Sequence, residues 1–84
     1  MRKFRLSIYE REQVLLREWL VEKRRAARLT QRDLAKNIGV IHSLIGKVEK
    51  GERRLDVIEL ITYCRGMGAD ASELITFLKE KMLA

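Results

Sequence analysis

Apolar residues recur along this chain at helical spacing. Val57, Leu60, Ile61, Cys64 and Met67 fall at i, i+3, i+4, i+7 and i+10, the stripe of one helix face. Proline is absent and β-branched alternation is scarce, so the period of 3.6 governs the reading. Four acceptor-plus-acid pairs stand three residues apart: Ser7 with Glu10, Thr30 with Asp33, Asp56 with Glu59, and Asp70 with Glu73. Each puts a side-chain oxygen ahead of a helix and a negative charge in its first turn, where free N–H groups and the helix dipole favour both. Gly39, Gly51 and the Gly66 to Gly68 pair supply the stops.

These signals predict an all-α fold, a compact bundle of five helices. The first spans about 8–28, with Leu16, Trp19, Leu20 and Ala27 inward. The second spans 31–38, with a stripe of Leu34, Ala35 and Ile38. The third lies between Gly39 and Gly51 on Ile45 and Val48. The fourth spans 57–67 on the stripe above, which places Cys64 in the core. The fifth, 71–83, is apolar over a wide arc: Leu74 and Leu78 suffice to close a core, which leaves Ile75, Phe77, Met82 and Leu83 as material for an interface. Residues 1–7 stand apart from the domain at 8–84. There Phe4, Leu6 and Ile8 alternate with Lys3, Arg5 and Ser7, the pattern of a basic arm or of a strand paired across a two-fold axis.

Length and charge narrow the function. Eighty-four residues make one small domain that buries about 60 to 65% of its unfolded surface. No run of 18 apolar residues exists, so no membrane span is expected and the chain reads as cytoplasmic. One cysteine and one histidine, Cys64 and His42, leave no metal cluster, and no cofactor is indicated. Paired carboxylates beyond the cap residues and phosphate-binding loops are absent, so no enzyme is expected. The charge is one-sided: residues 1–54 hold 15 of the 18 Lys and Arg against 7 acids, whereas 55–84 hold 3 against 5. A basic segment in a folded domain points to a polyanion, most often nucleic acid.

The central segment reads Leu29-Thr30-Gln31-Arg32-Asp33-Leu34-Ala35, then Gly39, Ile45, Val48-Glu49-Lys50-Gly51-Glu52-Arg53-Arg54. It describes two short helices joined by a tight glycine turn, a helix-turn-helix. In these residues the chain resembles the Cro/CI (Xre-type) helix-turn-helix family of bacterial and phage regulators, over about residues 14–78. The resemblance implies a lambda repressor-like DNA-binding domain that places residues 42–50 in the major groove of double-stranded DNA. It implies base contacts from His42, Ser43 and Lys47, and phosphate contacts from Gln31, Arg32, Lys50, Arg53 and Arg54. It also implies a structural ion pair between Arg24 and Glu49. Two positions depart from the family pattern: Ile41 stands where a Ser or Thr usually caps the third helix, and Gly46 removes a side chain in mid-helix.

A sequence-specific transcriptional regulator, nucleoid-associated in a prokaryote, is the reading expected to hold. A homodimer would meet two half-sites, through Phe4 and Leu6 or through Ile75, Phe77 and Met82. Two alternatives use the same features. An antitoxin or adaptor would bind a protein partner through the fifth helix or the arm, and an architectural or excision factor would bend DNA.

Overall fold

The chain runs through α1 (Leu6–Ala26), α2 (Gln31–Ile38), α3 (His42–Lys50), α4 (Val57–Gly66) and α5 (Ala71–Leu83), the five-helix all-α plan expected from periodicity. The computed structural model describes residues 6–83, with side chains from Glu10 onward. Met1 to Arg5, and with them Phe4, lie outside the described residues, as does the Leu6 side chain. Leu6 and Ser7 are helical in backbone, so α1 starts two residues earlier than expected and Ser7 does not stand ahead of it as a cap.

The far end of α1 is also displaced. The helix ends at Ala26, and Ala27 and Arg28 form an exposed turn, so Ala27 does not face the core. The chain has to reverse within three residues to reach Thr30, which it does with Arg28 in the left-handed region at φ 60° while the Leu29 N–H donates to the Arg24 carbonyl at 3.1 Å. A residue with a Cβ costs about 1 to 2 kcal/mol in that conformation. Arg28→Gly is therefore expected to stabilise the domain by about 1 kcal/mol, raising Tm by about 4 to 8 °C in a thermal melt.

The caps of α2 and α4 are complete boxes. The Asp33 N–H donates to Thr30 Oγ1 at 3.0 Å and the Thr30 N–H to Asp33 Oδ2 at 2.9 Å. The Glu59 N–H donates to Asp56 Oδ1 at 2.7 Å and the Asp56 N–H to Glu59 Oε1 at 2.9 Å. Asp70 caps α5 differently, accepting from the Ser72 N–H and hydroxyl rather than closing a box with Glu73.

Leu20 from α1, Leu34 and Ala35 from α2, Ile45 and Val48 from α3, Leu60, Tyr63 and Cys64 from α4, Met67 at its end and Leu74 from α5 form the core. Each fully buried aliphatic side chain contributes roughly 1.5 to 3 kcal/mol. Burial pushes the Cys64 thiol up, so it stays protonated and packs as a small apolar group. The buried stripe of α4 is Leu60, Tyr63, Cys64 and Met67, a rotation from the expected one: Val57 is 71% exposed and Ile61 41%. Close packing of α4 on α2 sets that rotation. A Cβ on Gly66 would clash with Ile38 Cγ2 and stand 2.9 Å from Leu34 Cδ1, so this glycine permits the approach instead of ending the helix. On α5, Leu74 is sealed, and Leu78 and the half-buried Phe77 pack against the core.

Candidate nucleic-acid interface

Gly39 ends α2 in the left-handed conformation, φ 74°, and its N–H reaches back to the Ala35 and Lys36 carbonyls. The turn delivers α3 with one face against the core, where Ile45 and Val48 are buried, and leaves His42, Ser43, Lys47 and Lys50 exposed on the other. Helix α3 starts at His42 in spite of Ile41, which is extended, 73% exposed and offers no side-chain cap. Nine residues at about 1.5 Å each make a rod of roughly 13 Å, and its diameter with side chains, about 10 to 12 Å, is that of any α-helix a major groove admits.

The orientation of α3 is fixed from behind by a buried polar network. Arg24 Nε donates to Glu49 Oε2 at 2.6 Å and Nη2 to Glu49 Oε1 at 3.1 Å, while Nη1 donates to the Leu29 carbonyl at 2.7 Å. Gln31 Nε2 donates to Glu49 Oε1 at 2.9 Å. One carboxylate on the last turn of α3 thus holds α1, the α1–α2 connection and the first residue of α2 together. The Glu49 hydrogen bond keeps the Arg24 guanidinium protonated, its pKa above the ordinary arginine value. Gln31 therefore braces α3, and a Cβ on Gly46 would meet its Oε1 at 3.5 Å, an ordinary contact.

Tyr63 lies close to this network, and sequence reasoning passed over it. It is 1% exposed, its hydroxyl has no hydrogen-bond partner among the described residues, and burial and the Glu49 charge push the phenol up. Its place at i+3 from Leu60 was the available signal, obscured by the more apolar Ile61.

In the α3–α4 loop, Arg54 is exposed but Arg53 is already engaged. Its Nη2 lies 2.7 Å from Glu59 Oε2 and its Nη1 3.0 Å from Oε1, and Nη1 also donates to the Arg54 carbonyl at 2.6 Å. The Arg53 hydrogen bond, with the Asp56 N–H, lowers the Glu59 carboxyl to about 2, so it stays ionised at neutral pH. Glu59, read from sequence as a cap residue, thus also serves as the counterion of Arg53. Arg32 in the first turn of α2 is exposed, as are Lys50 and Arg54. Among the described residues no group of His, Cys, Asp and Glu is arranged to hold a metal ion, and no helix is long and apolar enough to cross a membrane.

Two short helices at a glycine turn, with a braced inner face and a basic outer one, define a helix-turn-helix protein. The helix-turn-helix family model matches residues 20–74. The chain is 40% identical to an XRE-family like protein from Pseudomonas syringae pv. tomato, with a TM-score of 0.86 over 89% of this chain and 92% of that one. It is 28% identical to the restriction-modification controller protein C.AhdI from Aeromonas hydrophila, with a TM-score of 0.69 over 75% of this chain and 96% of that one. No curated protein matches. The chain belongs to the XRE family of helix-turn-helix DNA-binding regulators.

Proposed function

We propose that the chain recognises specific double-stranded DNA sequences and controls transcription by occupying an operator with α3 in the major groove, blocking or recruiting polymerase. The observation that carries this reading is the division of α3: Ile45, Val48 and Glu49 are held by the fold, while His42, Ser43 and Lys47 are exposed. Lys47 donates to guanine O6 and N7, and His42 and Ser43 meet neighbouring base edges. Arg32, Lys50 and Arg54 lie along the phosphates, and Gln31 holds the start of α2 against α3. Placement in the cytoplasm, at the nucleoid, follows from such a role.

Base contacts specify and phosphate contacts position, so the two separate experimentally. Lys47→Ala is expected to weaken binding to the preferred site, selected from a random library, by about 1 to 3 kcal/mol and to change binding to random DNA little. Equal loss on both would reduce Lys47 to a backbone contact and leave a general DNA coat in place of a specific regulator.

A second copy completes the reading, because one recognition helix covers only a few base pairs. Ile75 and Met82, 48% and 58% exposed, offer the surface on α5. Val57 and Ile61 on α4 line, together with Ile75, a groove of about 600 Å³ between the two helices. An adaptor reading would assign the same strip to a different protein, and a wild type that is strictly monomeric in sedimentation at tens of micromolar would favour it.

A further inference from the structure

A small groove opens where the N-terminal half of α1 meets the α3–α4 loop, lined by Arg17, Gly51, Arg53 and Arg54, with Glu10 and Gln13 on the α1 side. The Arg17 guanidinium lies directly against Gly51. A Cβ at that position would stand 2.7 Å from Cζ and 2.8 Å from Nη1. Gly51 is favoured by its left-handed φ of 82°, and its lack of a side chain lets the mobile end of Arg17 lie against the loop.

Three guanidinium groups line this groove with few countercharges. Arg53 is matched by Glu59, but among the described residues neither Arg17 nor Arg54 has a carboxylate within ion-pair distance. Glu10 is the acid on the groove wall, and it is exposed and unpaired with either of them. Arg17 is half-buried, so its charge is less screened than that of a surface arginine. An arginine in that position takes up an oxyanion through short, charge-assisted hydrogen bonds. The size of the groove, about 90 Å³, decides what kind. Small-molecule pockets run from roughly 300 to 1,000 Å³, so this one suits a single tetrahedral oxyanion and not a metabolite or a base. Arg54 of the α3–α4 loop lines the groove and is exposed, as is Lys50 beside Gly51 in sequence, so a DNA backbone lying on that loop would pass the groove.

We infer that Arg17, with Arg54, forms a phosphodiester-binding subsite that extends the DNA contact from the helix-turn-helix onto α1. The inference rests on the DNA-binding reading above, and one experiment separates their failures. Binding of the full chain to duplex DNA is titrated against salt for wild type, Arg17→Gln and Arg17→Lys, with a thermal melt of each in the presence and absence of inorganic phosphate. Arg17→Gln is expected to weaken binding about five- to tenfold at 0.1 M salt, on preferred and random DNA alike, and to flatten the log-log slope by about 0.9 per subunit. Arg17→Lys keeps the slope, since it keeps the charge. A wild type that binds no DNA at any salt overturns the functional reading itself. A wild type that binds with a slope unchanged by Arg17→Gln overturns the subsite alone, and a lowered Tm with that unchanged slope makes Arg17 a structural brace. Phosphate that raises the Tm of wild type but not of Arg17→Gln, with the DNA slope unchanged, makes the groove a free-phosphate site and overturns the assignment to DNA.

Discussion

Glu49→Ala is expected to destabilise the domain by about 3 to 5 kcal/mol, the cost of stranding a buried charge by removing its partner. The side chains of Arg24 and Glu49 are only 11% and 10% exposed, so water compensates poorly for the lost carboxylate. Three donors lose their acceptor together: Arg24 Nε, Arg24 Nη2 and Gln31 Nε2. A domain of this size has about 5 to 10 kcal/mol in total, so the variant keeps only a fraction of its stability, and its Tm falls by tens of degrees. Urea denaturation checks the figure. Loss of DNA binding in this variant at 37 °C would report unfolding and not a missing contact. The double variant Arg24→Met with Glu49→Leu separates the two, because removing both charges and filling the space is expected to recover most of the stability. A Glu49→Ala variant within about 0.5 kcal/mol of wild type would show that the pair is solvated in solution and that α3 is oriented by Ile45 and Val48 alone.

The network illustrates what the sequence carried and what it concealed. Thr30, Asp33, Asp56 and Glu59 declared the starts of α2 and α4 because a capping box is local, closed within four residues and visible at fixed spacing. The end of α2 at Gly39 and that of α3 at Gly51 followed from equally local glycine signals, whereas the start of α3 at His42 has no cap and was placed by the family resemblance. Where three-dimensional packing chose among equivalent residues, spacing was not enough. On α4, Val57, Leu60, Ile61, Cys64 and Met67 and the set Leu60, Tyr63, Cys64 and Met67 are both helical stripes. Hydropathy favours the first, but the close approach at Gly66 rotates α4 onto the second, and that approach depends on Ile38 and Leu34, 28 and more positions away in sequence. The Arg53–Glu59 ion pair was hidden for a related reason. A basic residue in a loop beside a recognition helix reads as a free cation, and nothing local indicates that Glu59, already occupied as a cap, has both oxygens within reach of its guanidinium. The end of α1 was placed late because Arg28 adopts a conformation that sequence signals reserve for glycine. Nor does spacing show that the half-buried Arg17 of α1 lies beside the α3–α4 loop, a contact between residues more than thirty positions apart.

DNA affinity is expected to fall about 10³- to 10⁴-fold between 50 and 200 mM salt if two copies bind together. The range follows from counting cations. Each copy presents Arg32, Lys50 and Arg54 without a carboxylate partner among the described residues, and Arg17 with them. Each phosphate neutralised contributes about 0.9 to the slope of log affinity against log salt, so a dimer with six to eight such contacts lies near a slope of roughly −5 to −7. A single copy would show about half that slope. Arg53 and Arg54 are expected to differ, although they are adjacent and identical in chemistry. Arg54→Gln should flatten the slope by about 1 per copy, whereas Arg53→Gln should leave it nearly unchanged, because the Arg53 charge is already balanced by Glu59 at 2.7 Å. Glu59→Gln then frees Arg53, and in that background the slope is expected to steepen by about 1 per copy. Fluorescence anisotropy on a duplex of fixed length, read at five or more salt concentrations, measures all four proteins. Equal flattening by Arg53→Gln and Arg54→Gln would mean that DNA draws Arg53 away from Glu59 on binding, making the ion pair a store of positive charge released at the operator. No flattening by either would remove the α3–α4 loop from the phosphate surface and confine the contact to α3 and the start of α2.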